Sequence, residues 1–259
     1  MGGLTDGLLG VPYAQRLAKH LDSLEVSTVQ PLLSSSHAGW GLSSLDRDAE
    51  ELHALAGHLA EHLDSQGIVL MGHSTGCQDS VRYAARYAAA ARDGAAAAPL
   101  LGVVLQAPVS DREWLATQPD TAERLRRAEA MVAAGEGEEV CFRAVDIDGA
   151  AVSARRFYSL AGRGGDDDMF SSDFSDAELR EALGGLRGVP TLVALSGADE
   201  YVPPSVDYAA LGARLAAAIG PSAELLVVPG AGHSCRGKED EITAAVGAFV
   251  SSIFFVEII

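Results

Sequence analysis

Apolar runs alternate with amphipathic stretches along this chain, the pattern of a mostly parallel sheet covered by helices. Residues 12–24 read as a helix and 26–33 as a strand. A polar, glycine-containing loop at 34–44 carries Trp40. A second helix spans 45–63, with Leu45, Leu52, Leu55, Leu59 and Leu63 at helical spacing. A short buried strand at 68–71, an alanine-rich helix at 76–91 and a strand at 100–107 follow.

Between about 110 and 188 the alternation breaks. Residues 121–134 and 176–186 look helical, and 163–176, rich in glycine and aspartate, reads as a loop. An insertion of this kind between two strands predicts a helical lid. The alternation resumes with a strand at 189–196, a helix at 206–219, a strand at 224–228 and a helix at 241–253. The fold class predicted is α/β, as a single domain over 1–259 with the lid inserted. The apolar tail 253–259 is too short to span a bilayer and reads as the end of the last helix or strand.

Length and composition narrow the field. With 259 residues, 48% hydrophobic and 21% charged, the chain suits one large globular domain. Its net charge of −17 disfavours nucleic acid and anionic membrane surfaces as partners. The odd count of three cysteines, Cys77, Cys141 and Cys235, is no disulfide framework and fits a reducing, cytoplasmic setting. No motif implies a cofactor.

The chemistry is carried by Gly72-His73-Ser74-Thr75-Gly76, which fits G-x-S-x-G. It follows a predicted strand directly and opens a predicted helix directly. A serine nucleophile needs such a sharp turn to project its Oγ above the sheet, and the flanking glycines remove side chains that would clash there. The serine also needs a base. In this architecture the chain order is serine, acid, histidine. Of the seven histidines only His233 follows Ser74, in a glycine-rich loop after a predicted strand. Asp199, just past the strand at 189–196, is the first choice for the acid that orients the imidazole. Glu200 is its near rival and Asp111 a more distant one. The backbone N–H of Thr75 is one candidate oxyanion donor and that of Leu4, within Gly2-Gly3-Leu4-Thr5-Asp6-Gly7, the other.

His58-Leu59-Ala60-Glu61-His62 fits H-x-x-E-H, a zinc-protease pattern. It lies beside the leucine stripe of an amphipathic helix, where polar groups face water, and no third ligand stands out. No metal site is expected there.

Several segments together resemble the siderophore (fusarinine C) esterase-like family of α/β-hydrolases. They are Gly2 to Leu8, Ser35-Ser36 with Gly39-Trp40-Gly41 and Ser43-Ser44-Leu45, Gly72 to Asp79, Gln106 to Glu113, Asp168 to Asp173, and Ser196 to Pro203. The resemblance covers nearly the whole chain. It implies hydrolysis of a small-molecule carboxylic ester through an acyl-enzyme, and it supports Ser74, Asp199 and His233. Trp40, Phe157, Tyr158 and Phe170 are candidate pocket walls, and Arg112 a candidate substrate-orienting cation. A hydrolase-fold binding protein with little turnover, and an acyltransferase using the same residues, stand as alternatives.

The start of the chain departs from the family pattern, in which a buried strand runs directly into the oxyanion loop. Here Gly2 follows Met1 at once. The expectation is a truncated start, with one strand missing between 26–33 and 68–71. Leu4 is then expected on a frayed end, unable to hold a donor in place, with any targeting signal lost upstream.

Overall fold

The computed structural model describes residues 1–88, 97–145, 147 and 149–254. Four parallel strands form the sheet: β1 (Ile68–His73), β2 (Leu100–Gln106), β5 (Thr191–Ser196) and β6 (Ala223–Val228), in the order β1-β2-β5-β6. Parallel strands need crossovers, and these are helical. On one face α2 (Leu45–Leu63), α3 (Gly76–Tyr87) and α8 (Tyr208–Ile219) share a core with Leu70, Val103, Leu105, Val193 and Leu195. On the other, α1 (Ala14–Asp22) and α9 (Glu239–Phe254) cover Val104, Leu192 and Ala194. Burial on both faces explains why β2 and β5 read as continuous apolar runs.

Local signals account for the boundaries. Ser44 caps α2, its Oγ accepting from the Arg47 N–H at 3.3 Å, and Asp64 ends the helix in a left-handed conformation. The buried stripe of α2 is Leu45, Ala49, Leu52 and Ala56. Leu55 and Leu59, predicted to be part of it, are only half-buried, and Leu63 is 65% exposed. Among the described residues the sheet ends at β1, so the outer end of the helix has no strand beneath it.

The predicted strand at 26–33 is corrected. This stretch has no ladder partner and forms no strand among the described residues. An extended chain becomes a strand only by pairing, and among the described residues no strand lies between 26–33 and β1. The part of the predicted helix 76–91 beyond residue 88, and the tail 255–259, lie outside the described residues.

The insertion is not purely helical. It holds α4 (Asp111–Leu115), α5 (Thr121–Ala133), an antiparallel pair β3 (Val140–Ala144) and β4 (Ala150–Ser153), α6 (Ala154–Ala161) and α7 (Asp176–Ala182). Its first half has its own core around Ala128, Val152, Phe157 and Leu160, which Trp40 joins. In its second half Met169, Phe170, Phe174, Leu179 and Leu186 belong to the core of the main sheet.

Candidate active site

All four strands of the main sheet point their C-terminal ends toward one rim, where open α/β sheets bind ligands. At that rim β1 turns into α3 through Ser74, whose φ is +55°. A non-glycine residue holds this left-handed conformation at a cost, which here lifts the side chain out of the sheet. Gly72 and Gly76 are required: a Cβ on Gly72 would lie 2.0 Å from the Gly76 carbonyl oxygen, and one on Gly76 2.7 Å from that of Gly2. Gly3 lies against the serine, since a Cβ there would be 2.7 Å from Ser74 Cβ.

Asp199 follows β5 and His233 follows β6. His233 Nδ1 lies 2.9 and 2.8 Å from the two Asp199 carboxylate oxygens, and both side chains are buried. Asp199 also accepts the Tyr201 N–H at 3.0 Å. The rivals for the acid have other partners. Glu200 accepts the backbone N–H of His233 at 2.8 Å, which fixes the loop and not the ring. Asp111 accepts from Gln78 Nε2 at 2.6 Å. Burial, and next the charge of Asp167, push the Asp111 carboxyl up to about 7.

One residue behind Asp199 and His233 is not among the candidates the sequence offers. Gln106, at the end of β2 and fully buried, is bonded on every side. Its Oε1 accepts from Tyr13 Oη at 2.8 Å and faces His73 Nδ1 at 2.6 Å. Its Nε2 donates to Ser196 Oγ and to the His233 carbonyl, both at 3.1 Å. An amide oxygen only accepts, so His73 carries its proton on Nδ1. The His73 ring lies 4.7 Å from that of His233. Burial, reinforced by His233, pushes the His73 pKa down to about 3.

The start of the chain is better held than expected. Met1 donates its amino group to the Met71 carbonyl at 2.6 Å, and the His73 N–H donates to the Met1 carbonyl at 3.1 Å. Asp6 closes the next turn: its carboxylate accepts the Gly3 N–H at 2.8 Å and its own N–H donates to the Gly3 carbonyl at 3.0 Å. Leu4, between them, packs its side chain on the Trp40–Phe157 core. The expectation of a frayed end at Leu4 is thereby corrected; two backbone bonds at Met1 and the Asp6 carboxylate hold this segment. Gly3, Leu4 and Thr75 all border a polar cavity of about 30 Å³, the size of one water.

Buried acids lie under this loop. Asp167 accepts from Arg156 Nη1 at 2.6 Å and Ser159 Oγ at 2.5 Å, and Arg156 Nε donates to the Trp40 carbonyl at 3.0 Å. Burial, with the charges of Asp48 and Asp167, pushes the Asp79 carboxyl well above its usual range. Cys77 and Cys235 are buried, which pushes both thiols up and keeps them protonated.

The candidate pocket residues divide. Phe157 and Phe170 are core, and Trp40, 4% exposed, belongs to the insertion's core and borders the small polar cavity. Tyr158 is half-buried beside Gly162. Arg112 is held by Asp168, at 2.8 Å, and by Asp173, so it is not a free cation. Aromatic surface at His233 comes instead from Tyr201, whose ring lies 4.5 Å from that of His233, and Trp114, 5.1 Å beyond. The signal for Tyr201 was its place two residues after Asp199. His58, Glu61 and His62 are exposed on α2, remote from this rim.

A parallel sheet sandwiched by helices, with a serine at a left-handed turn after β1 and an Asp–His pair after the last two strands, defines an α/β-hydrolase. Comparison with known proteins is more specific. The family described as "Protein of unknown function (DUF1749)" matches residues 1–254, and the chain belongs to that family. The chain is 34% identical over 253 residues to the fusarinine C esterase sidJ of Aspergillus fumigatus, covering 80% of this chain and 72% of the relative. It is 30% identical over 319 residues to the esterase AN6793 of Emericella nidulans, covering 98% and 85%. Among solved structures, the siderophore hydrolase EstB from Aspergillus fumigatus superposes with a TM-score of 0.77 at 27% identity, over 98% of this chain and 89% of that one.

Proposed function

We propose that this chain is a serine esterase that cleaves a small-molecule carboxylic ester through an acyl-enzyme on Ser74. The observation that carries the reading is the pairing of both Asp199 carboxylate oxygens with His233 Nδ1, at the same rim of the sheet where Ser74 is held at positive φ. Nδ1–H bound to a carboxylate leaves Nε2 unprotonated, as a general base requires. Ser74 Oγ attacks the ester carbonyl while His233 Nε2 takes its proton. The developing oxyanion accepts from the Thr75 and Leu4 N–H groups. His233 then protonates the departing alcohol, and a water activated by the same nitrogen releases the acid.

The named relatives, a fusarinine C esterase and a siderophore hydrolase, support ester cleavage and suggest siderophore esters as the first substrates to assay. Tyr201 and Trp114 offer an aromatic wall beside His233, where the leaving alcohol departs. Rapid-mixing kinetics with a p-nitrophenyl ester test the reading. A burst of nitrophenol equal to the enzyme concentration, abolished in Ser74→Ala, is expected. Linear release without a burst, equal in both proteins, would overturn it.

A further inference from the structure

Ser74 follows β1 and His233 follows β6. In the order β1-β2-β5-β6 these strands lie at opposite ends of the sheet, and among the described residues they share no ladder. Their axes are about 14 Å apart at the usual strand spacing. A nucleophile and its base work only within hydrogen-bond reach, and a misplacement of about 1 Å costs about 10²-fold in rate. The distance between the serine turn and the histidine loop must therefore be set by groups buried between them.

Gln106 touches both. It ends β2, in register with His73 on one side and Ala194 on the other. Its main-chain carbonyl accepts the Ser74 N–H at 3.0 Å and the Cys77 thiol at 3.3 Å, so it holds the positive-φ turn on both sides of the serine. Its side chain bonds to the end of β5 and to the loop after β6. Nε2 donates to Ser196 Oγ and to the His233 carbonyl, both at 3.1 Å, and Ser196 Oγ donates to the same carbonyl at 3.2 Å. Glu200 takes the His233 N–H at 2.8 Å. Both polar groups of the His233 main chain are thus fixed by side chains from the ends of β2 and β5. Through Oε1, Gln106 also holds His73, whose ring lies 4.7 Å from that of His233.

The position calls for an amide. Oε1 has to accept, from Tyr13 and His73, while Nε2 has to donate, to Ser196 and His233. A carboxylate would turn a lone pair on the His233 carbonyl, and an aliphatic chain would offer neither function. An amide with no exposed surface and partners at both ends has one orientation. We propose that Gln106 is the positioning residue of this site: its main-chain carbonyl sets the Ser74 turn, its side-chain amide sets the His233 peptide, and the reach from Ser74 Oγ to His233 Nε2 is thereby fixed through one buried residue. Its effect on rate rests on the serine-esterase reading; its hold on His233 does not, and is readable without turnover.

Gln106→Glu keeps the length of the side chain and the acceptor for Tyr13 and His73 but removes the donor to the His233 carbonyl. Gln106→Met keeps the volume without a charge and takes its place if the first variant does not fold. Leu215→Ala, in the main core on α8, is the control for lost stability alone. Proton NMR of the folded proteins follows the Nδ1–H that His233 shares with Asp199. Its exchange with solvent is expected to quicken by at least about tenfold in the Gln106 variant and to stay unchanged in Leu215→Ala. On a p-nitrophenyl ester, the Gln106 variant should lose about 10–100-fold in kcat with KM held within about twofold, and the control should keep both. Unchanged exchange at His233 in the Gln106 variant overturns the proposal, and so does a kcat equal to that of the control. A wild type that turns over no ester would sink the esterase reading, and the exchange comparison would still decide the role of Gln106.

Discussion

Lowering the pH from 7 to 5 perturbs His73 in a way the structure quantifies. Its pKa is about 3 when folded, against 6.5 for the free side chain, because burial and the neighbouring His233 ring oppose a positive charge. The unfolded chain therefore binds a proton that the folded one does not. Where the folded pKa of a base is depressed, its contribution to stability is complete above the unfolded pKa and is lost as pH falls toward the folded one. At 1.36 kcal/mol per pH unit for a fully linked proton, integration between pH 7 and pH 5 gives a loss of about 2 kcal/mol. His73→Asn keeps a donor to Gln106 and removes the titration. Urea unfolding at both pH values should show the wild type losing about 2 kcal/mol more than the variant between pH 7 and pH 5. Equal losses in the two proteins would refute the assignment of His73 as a buried neutral imidazole.

Other groups yield sharper single-site expectations. Gln106→Leu strands the Tyr13 hydroxyl and the His233 carbonyl, and denaturant unfolding should show a loss of about 2–4 kcal/mol. Arg156→Met leaves Asp167 buried without its cation, and the same measurement should read about 3–5 kcal/mol. Asp199→Asn keeps the shape of the side chain but favours the wrong imidazole tautomer, so kcat on a p-nitrophenyl ester should fall by about 10⁴-fold with little change in Tm.

The layered fold was legible because β2 and β5, buried on both faces, have to be apolar throughout, and because α2 shows its period and its Ser44 cap plainly. The serine turn was legible because its glycines answer to close backbone contacts that no other residue allows. Asp199 could be ranked over Glu200 by strand position, but only the folded loop shows Glu200 bound to the His233 backbone instead of its ring. Residues 26–33 were misread because strand propensity is local while pairing is not. The β3–β4 pair was missed because four- and five-residue strands are too short to show a period. Gln106 stood in a segment quoted for the resemblance, but its role was not legible, since a glutamine at a strand end announces nothing until its partners Tyr13, His73, Ser196, His233 and Cys235 converge on it. Phe157 and Phe170 were offered as pocket walls on residue type alone, and aromatic residues more often fill cores, as these do.

The central claim is that Ser74 is an activated nucleophile. Intact mass after treatment with a fluorophosphonate, with the adduct mapped by peptide sequencing, tests it most directly. One phosphonyl adduct per chain is expected, located on Ser74, absent in Ser74→Ala and strongly slowed in His233→Ala. A folded chain that takes up no adduct, or carries it on another residue, would contradict the account.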